Sequence, residues 1–337
     1  MSVLDVPVAR AAGSARSVDD VLAALDRRLA TEGSTGVAHP TGFIPLDTHL
    51  GGGLRAGELI VIGGMQGLGK TTFALQMARN VVAAGGSALY ACFEHSEESL
   101  LERLLVLEAG MVAGLDGPTL TAVRRRLTNG RAASGGLAHV FADYPGAAEA
   151  LATLRRYGGR LRLLRARGDS TGLAALLSAL DDLAPERPVL FVDYLQKIPD
   201  PGADGEEERV SRAACGLKDL ALDRGLPVVA IAAMERQGAQ VRRARARHLK
   251  GSVTLAYEAD VILVLNDKHQ IVSREHLMYG VGNLERYRAQ MVCSIEKNRG
   301  GQAEIDLEFA KHLDQSLFDP RGAIVAEDLV DDRIHVE

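Results

Sequence analysis

The sequence is poor in aromatic side chains and in cysteine. It has no tryptophan, 7 phenylalanines and 7 tyrosines, which disfavours a protein that grips single strands mainly by base stacking. Its three cysteines, Cys92, Cys215 and Cys293, are far apart, and no two have the spacing of a metal or redox site. We therefore expect buried free thiols and a location in the reducing cytoplasm.

The sequence also lacks long apolar runs and an excess of positive charge. No apolar stretch is long enough to span a membrane, and Asp5, Arg10 and Arg16 interrupt the region where a signal peptide would be apolar. The 39 Lys and Arg residues are outnumbered by 44 Asp and Glu residues, which gives a net charge of −5. Any nucleic-acid site must therefore be a local patch, and no membrane partner is expected.

A glycine-rich stretch between an apolar segment and a helical pattern is the strongest motif of the chain. It reads Gly64-Met65-Gln66-Gly67-Leu68-Gly69-Lys70-Thr71-Thr72. In the pattern Gly-x-x-x-x-Gly-Lys-Thr, the glycines let backbone N–H groups face a phosphate at the positive end of the following helix. Lys70 would reach the terminal phosphates, and the Thr71 hydroxyl would hold Mg²⁺. The alternative, a glycine-rich turn that binds nothing, is disfavoured by the strand and helix on either side.

Apolar segments alternate with helical patterns along most of the chain. Continuous apolar segments, typical of strands buried on both faces, lie at 59–63, 88–93, 188–193, 227–233 and 259–265. Such alternation predicts an α/β fold with a mostly parallel central sheet flanked by helices.

The N-terminal part has a different pattern. Residues 1–16 are small and polar, and we expect them to be disordered. A capping box at Ser17 predicts a helix over 17–30 with a stripe of apolar residues on one face, followed by a flexible linker. The stripe consists of Val18, Val21, Leu22, Leu25 and Leu29. It either folds back on its own domain or docks on a neighbouring subunit, so we divide the chain at 1–36 and 37–337.

Two acidic residues follow apolar segments that we predict to be strands. Asp193 ends the segment 188–193, at the sheet edge where α/β proteins bind ligands, and suits the anchoring of Mg²⁺ better than a turn role. Glu94 follows the segment 88–93 and would orient or deprotonate an attacking water molecule. An acid at the start of a helix is an equally good interpretation of Glu94 from spacing alone.

A basic hairpin lies near the C-terminus. The segments 290–297 and 303–309 flank Asn298-Arg299-Gly300-Gly301, which predicts a β-hairpin. Lys297 and Arg299 are two positions apart, so they share one face of the strand and would reach a phosphate of their own or a neighbouring subunit. A solvated basic hairpin is the favoured alternative on these residues alone.

The motifs together give the chain a resemblance to a known family. It resembles the ATPase domain of the DnaB-type hexameric replicative helicases, in the RecA-like class, from the helix at 17–30 to about residue 320. The segments that carry the resemblance, in order, are TGFIPLD, GGGLRAGELIVIGG, GLGKTTFALQMA, CFEHSEESLLERLL, VLFVDYLQ, PVVAIAAMER, LKGSVTLAYEAD and SIEKNRGG. The chain is also similar to the wider group of RadA and KaiC types, toward which LKGSVTLAYEAD leans.

The resemblance implies a role for each candidate residue. It implies that 37–337 is a RecA-like P-loop ATPase domain that uses ATP and Mg²⁺, with Asp193 as the metal-anchoring acid and Glu94 as the catalytic glutamate. It implies that Lys297 and Arg299 act on ATP bound by the neighbouring subunit of a ring, usually a hexamer. The helix at 17–30 corresponds to the family's linker helix, which docks on the adjacent subunit.

The chain departs from the family pattern in three respects. The family's N-terminal helical domain has no counterpart in this sequence. Ala232-Ala233 stands where the family has Ser-Gln, and that glutamine links the terminal phosphate to the DNA-binding loops. Residues 266–290 form an inserted segment with the charged residues Asp267, Lys268, Arg274, Arg286 and Arg288.

One dense basic run lies where the family places the loops of its central channel. Its candidate DNA-binding residues are Arg242, Arg243, Arg245, Arg247, Lys250 and Gly251. Six copies around a channel would hold a single strand by its phosphates without reading its sequence. A solvated surface helix is the alternative, and the acidic segment 200–208 would repel a strand.

These features favour a Mg²⁺-dependent ring ATPase whose hydrolysis is stimulated by single-stranded DNA and drives translocation or unwinding. The alternative is a regulatory or remodelling ring of the KaiC or RadA kind that acts without unwinding DNA. A degenerate ATP-binding scaffold is a third interpretation. The protein partner of such a ring is unknown from the sequence.

Overall fold

A ten-stranded sheet organises the larger part of the chain. The computed structural model describes residues 15–32, 38–129, 136–183, 188–235, 241–273, 275–276 and 283–331. The strands are β1 (Leu59–Gly64), β2 (Ala88–Cys92), β3 (Leu161–Arg165), β4 (Val189–Asp193), β5 (Val228–Ile231), β6 (Val261–Asp267), β7 (Gln290–Asn298), β8 (Ile305–His312), β9 (Leu317–Phe318) and β10 (Ala323–Ile324).

The helices of the described residues fill the connections between these strands. They are α1 (Val18–Glu32), α2 (Ile44–His49), α3 (Lys70–Ala83), α4 (Glu97–Ala113), α5 (Leu120–Asn129), α6 (Gly136–Val140), α7 (Ala147–Tyr157), α8 (Leu173–Asp181), α9 (Glu206–Arg224), α10 (Ser252–Glu258), α11 (Lys268–Ile271) and α12 (Asn283–Arg288). The chain divides into two compact units, residues 1–37 and residues 38–337.

The strand order confirms the predicted α/β architecture. The strands lie in the order β10-β8-β7-β6-β1-β5-β4-β2-β3, and β9 pairs with β8. From β6 to β3 every neighbouring pair is parallel, whereas β7, β8 and β10 add an antiparallel edge. The antiparallel pair β7–β8 is the predicted C-terminal hairpin. Because the parallel strands all end at one edge, the residues after β1, β2, β4 and β5 meet there.

Both faces of the sheet are buried, as the continuous apolar strands predicted. In β1, Ile60 and Ile62 belong to one core with Phe73 and other side chains of α3. Leu59 and Val61, which point to the opposite face, belong to a second core with side chains of α9. Alternate side chains of β1 enter two different cores, so a shift by one residue would exchange its two faces. The register of β1 is therefore fixed, and with it the position of the loop that follows.

Local interactions determine where two of the helices begin. Helix α8 begins at Leu173, after a turn in which the backbone N–H groups of Arg167 and Thr171 each donate to an oxygen of the other residue. Helix α9 begins at Glu206, and the three glutamates in its first turn favour the positive helix end. The segment 112–160 contains α5, α6 and α7.

Helix α1 forms the described part of the smaller unit. The predicted capping box is present: the Asp20 backbone N–H donates to Ser17 Oγ at 3.1 Å, and the Ser17 N–H donates to Asp20 Oδ2 at 3.3 Å. The five apolar side chains of its stripe are between 36% and 75% exposed. Residues 1–14, which the sequence predicted to be disordered, and most of the predicted linker lie outside the described residues.

No single helix among the described residues is both long and apolar enough to cross a membrane. One pair, α4 with its following turn and α5, reaches that length and composition only with a bend of 118° between the two parts.

The inserted segment 266–290 packs against the chain near residue 330. Lys268 is fully buried and forms ion pairs with Glu308 and Glu327, and Arg286 pairs with the same Glu327. The backbone of 271–273 also bonds with that of 328–330. Arg274 lies outside the described residues. Among the described residues, the charged side chains of the insertion therefore form ion pairs within this chain.

Candidate nucleotide-binding site

The glycine-rich loop joins the end of β1 to the start of α3, as predicted. Gly64 (φ 145°) and Gly69 (φ 85°) have backbone angles that side chains disfavour. A Cβ atom on Gly64 would also lie 2.7 Å from the Leu265 carbonyl oxygen, and one on Gly69 would lie 2.6 Å from a Leu313 methyl group. Glycine is therefore required at both ends of the loop, which lets its backbone approach an anion at the N-terminus of α3.

Lys70 folds back over this loop. Its ammonium group donates to the carbonyl oxygens of Gly64 at 2.8 Å and Met65 at 2.9 Å. Burial lowers the pKa of Lys70, while Asp193 and Glu94 act in the opposite direction. An anion bound in the loop would therefore favour the charged form of a lysine that is already positioned beside it.

Thr71 and Asp193 are in direct contact. The Thr71 hydroxyl donates to Asp193 Oδ2 at 2.7 Å, and the Tyr90 hydroxyl donates to the same oxygen at 3.2 Å. Burial raises the pKa of Asp193, and the hydrogen bonds from Thr71 and Tyr90 oppose this. A cation beside Asp193 would favour its charged form. A hydroxyl and a carboxylate oxygen side by side are ligands that suit Mg²⁺.

One cavity of about 550 Å³ brings the phosphate loop, Glu94 and Asp193 together. Its lining includes Gly64, Gln66, Gly67, Gly69, Lys70, Thr71, Thr72, Glu94 and Asp193. Its volume is in the range usual for small-molecule sites. Leu68, another candidate nucleotide-binding residue, is not among the lining residues, and its side chain is packed into the core. Glu94 is exposed in the turn between β2 and α4, so its carboxylate is accessible to water.

The same cavity contains residues that the sequence analysis did not single out. His95 directly follows Glu94, Tyr194 directly follows Asp193, and Leu313 comes from beyond β8. The position of His95 beside a candidate catalytic acid was a local signal that could have identified it. Leu313 gave no such signal, because only the folded sheet brings it to the loop.

Lys297 and Arg299 are not among the residues that line this cavity. Both instead contact the C-terminal end of α10. Lys297 donates to the carbonyl oxygens of Ala256 and Ala259, and Arg299 contacts the Tyr257 carbonyl oxygen and Asp260 Oδ1. The two cations therefore lie together, as their spacing predicted, against the end of α10.

Part of the basic run forms ion pairs with carboxylates of the same chain, which the sequence did not indicate. Arg243 is 5% exposed and forms hydrogen bonds of 2.7 and 2.8 Å with the carboxylate of Asp306. Arg245 pairs with Glu296 and Asp331. These two arginines were predicted to contact DNA, but internal carboxylates occupy their guanidinium groups.

The rest of the run remains accessible. Arg242 is exposed, and the side chain of Arg247 is 67% exposed. Lys250 is half-buried and pairs with Glu206, in the first turn of α9, at 2.6 Å. Gly251 follows with a φ of 81° and immediately precedes α10. The run is therefore neither a free basic surface nor the solvated helix that was the alternative.

A short backbone pairing connects the cavity to this basic run. Ala233 and Met234 line the cavity, and the Lys250 backbone N–H donates to the Ala233 carbonyl oxygen at 2.9 Å. The buried side chain of Gln196 bridges the same two residues: it accepts from the Ala233 N–H and donates to the Lys250 carbonyl oxygen, both at 3.0 Å. These hydrogen bonds form a continuous connection between the cavity wall and Lys250.

The fold and the phosphate loop define a RecA-like P-loop ATPase architecture. The family model described as the DnaB-like helicase C terminal domain matches residues 37–123 and 176–316, more than half of the chain, and the chain belongs to this family. This confirms the resemblance that the sequence motifs carried.

The relatives agree with this assignment. The chain is 27% identical over 255 residues to the replicative DNA helicase DnaB of Rickettsia bellii, covering 70% of this chain and 46% of that protein. It is 27% identical over 235 residues to the replicative DNA helicase DnaC of Bacillus subtilis, covering 67% and 46%. The chain thus spans about half the length of these relatives.

A solved structure, the ATPase domain of G40P, has the same fold. It superimposes with a TM-score of 0.69 at 20% identity, covering 90% of this chain and 99% of that one. At this identity the similarity bears on the fold alone.

Proposed function

We propose that this protein hydrolyses ATP with Mg²⁺ at the interfaces of a ring of identical subunits, and that single-stranded DNA in the ring stimulates the reaction and is translocated or unwound. The observation that carries the proposal is the cavity in which Lys70, the Thr71–Asp193 pair and Glu94 meet. Membership of the DnaB-like helicase family supports DNA translocation or unwinding as the result of hydrolysis. The three buried or half-buried thiols fit a cytoplasmic protein.

The residues of the cavity fit Mg²⁺ together with a triphosphate. Mg²⁺ in nucleotide sites usually binds one or two protein oxygens together with phosphates and water. Thr71 and Asp193 would hold it. Bound there, the ion would neutralise charge on the phosphates.

The phosphate loop, Lys70 and Glu94 would perform the other steps of ATP hydrolysis. The phosphate loop cradles the phosphates, and Lys70 stabilises charge on the terminal group as its bond to the leaving oxygen breaks. Glu94 orients the attacking water and accepts its proton as the new phosphorus–oxygen bond forms. Leu68 contributes its backbone, because its side chain is buried.

The remaining cation comes from the neighbouring subunit. Arg299 is half exposed and does not line the cavity of its own chain, so we assign its contact with a phosphate to a second copy. With Lys297 beside it, this hairpin supports an interfacial active site. A hexamer is the ring size that the family implies.

The accessible part of the basic run, Arg242, Arg247 and Lys250 with Gly251, is the DNA-binding surface in this account. Its backbone pairing with Ala233 provides a mechanical connection to the cavity, even though position 233 has no glutamine side chain. Gln196 supports this connection from within the core.

The DNA-binding surface is tested by a double variant, Arg242→Ala with Arg247→Ala. Because two phosphate contacts per subunit are lost, we expect weaker stimulation of ATP hydrolysis by single-stranded DNA, with unchanged turnover in its absence. The slope of log affinity against log salt should become shallower by about 1.4 for each subunit engaged. A double variant with wild-type DNA affinity and salt slope would contradict the assignment.

The matched control is Arg243→Ala, in the same run. Its loss leaves Asp306 without its main partner, so we expect the free energy of unfolding to fall by about 3 kcal/mol, the low end for a broken buried pair because Asp306 retains some solvent contact. Thermal unfolding measures this. The salt slope of DNA binding should stay at the wild-type value.

We also propose that residues 1–36 form a linker and docking segment, and that 37–337 is the ATPase domain. Helix α1 exposes an apolar stripe that needs a covering surface. We expect deletion of 1–36, or the pair Leu22→Asp and Leu25→Asp, to convert the ring into smaller species. Native mass spectrometry measures this, with Arg27→Asp on the opposite helix face as control. Unaltered hexamers after deletion would refute the docking role.

A further inference from the structure

His95 stands at a fixed place in the turn between β2 and α4. Its backbone N–H donates to Cys92 Sγ at 3.3 Å, which holds the chain as it leaves the strand. The next residue, Ser96, caps α4 by accepting from the Ser99 N–H at 3.3 Å. The backbone is thus constrained on both sides of His95, so its side chain is presented at the sheet edge by the fold.

This side chain lines the nucleotide cavity together with Lys70, Glu94 and Asp193. It is half-buried. Glu94 is an electrostatic neighbour of Lys70, of Asp193 and of His95. The imidazole of His95 thus lines the same cavity as the residues proposed to act on the terminal phosphate and the attacking water.

Another part of the cavity wall is apolar. Ala233 and Met234 line it after β5, at the position where the sequence resemblance implies a glutamine that contacts the terminal phosphate. A methyl group at 233 cannot make that hydrogen bond. His95 is a polar side chain in the same cavity that can.

The charges around His95 determine its protonation. Arg103 of α4 and Arg124 of α5 face it as cations, Glu94 faces it as an anion, and Lys70 and Asp193 lie in the same cavity. Burial, and next Arg103, lower the pKa of His95, while Glu94 opposes them. Near pH 7 the imidazole is therefore mostly neutral, with one N–H donor and one acceptor nitrogen.

We propose that His95 is a further catalytic residue, which donates a hydrogen bond to an oxygen of the terminal phosphate of ATP and replaces the contact that position 233 lacks. This inference rests on the proposed ATP hydrolysis. The interaction is specific for the third phosphate, so it distinguishes a triphosphate from a diphosphate.

The test uses His95→Ala and His95→Gln in the full-length protein. We expect His95→Ala to lower kcat by about 10 to 100-fold, less than the loss typical of a main oxyanion donor because Lys70 remains. Its affinity for the non-hydrolysable analogue AMP-PNP should fall at least about fivefold, with ADP affinity unchanged. His95→Gln keeps an N–H donor and should recover part of both losses. Retained ADP binding also verifies that the variants are folded.

A pH series separates this role from a structural one. A cationic imidazole attracts phosphate more strongly, and glutamine gains no charge on acidification, so wild-type affinity for AMP-PNP should exceed that of His95→Gln by a growing factor as the pH falls below 7. The matched control is His139→Ala, an exposed histidine on α6, which should behave as wild type throughout.

The outcomes distinguish this inference from the proposed function. A wild-type protein that neither binds nor hydrolyses ATP would contradict both. A wild-type ATPase whose His95 variants keep kcat, the AMP-PNP to ADP affinity ratio and the pH dependence would overturn only the role of His95.

Discussion

Lys70→Ala is expected to lower ATP turnover by about 10³ or more and to weaken binding of the triphosphate. The ammonium group of Lys70 is held at the mouth of the phosphate loop by two backbone carbonyl groups, and no other lysine of the described residues lines the cavity. Its loss removes the charge that stabilises the terminal phosphate in the ground state and in the transition state. Steady-state hydrolysis and a nucleotide-binding titration measure the two effects separately.

A positive charge at position 70 should not by itself be enough for ATP turnover. Lys70→Arg retains a cation but cannot place a single nitrogen between the Gly64 and Met65 carbonyl groups, so we expect it to remain strongly impaired. Arg156→Ala, which removes an exposed cation from α7, serves as the control and should retain wild-type turnover. Unchanged turnover in Lys70→Ala would remove the phosphate-loop assignment.

Arg299→Ala should lower turnover by about 10³ or more while ATP binding stays nearly intact, as expected for an arginine that acts on the phosphate of a neighbouring subunit. In a single chain Arg299 contacts the end of α10 and Asp260, and it does not line the cavity. Its control is Arg288→Ala, an exposed arginine on α12 whose only described ion pair is with Glu285.

Mixing subunits tests whether Arg299 acts across the interface. A ring that contains both Lys70→Ala and Arg299→Ala subunits has some interfaces with an intact phosphate loop on one side and an intact Arg299 on the other. We therefore expect activity in the mixture that exceeds the sum of the two inactive proteins. No gain on mixing into rings, or full activity in a monomer, would refute the role in trans.

The sequence predicted the parts of the site whose chemistry is local. The order strand, glycine-rich loop and helix placed Lys70 and Thr71, and the position of Asp193 at the end of a predicted strand placed it at the ligand-binding edge of the sheet. Both follow from short-range geometry and from the common edge of a parallel sheet.

The basic run could not be interpreted in the same way. Its dense positive charge favoured a free surface, but the carboxylates that neutralise Arg243 and Arg245 belong to Glu296, Asp306 and Asp331, 51 to 86 residues further along the chain. Tertiary structure alone brings them together. The contact of Lys297 with α10 and the packing of Lys268 in the insertion have the same long-range origin.

The most direct test of the account is steady-state ATP hydrolysis by the full chain, with and without single-stranded DNA, at a low and a high salt concentration. The account predicts turnover that depends on Lys70 and that DNA stimulates strongly at low salt and weakly at high salt, because phosphate contacts release counterions. Turnover that is indifferent to DNA at both salt concentrations would contradict it, and would favour a ring ATPase that acts on a protein partner.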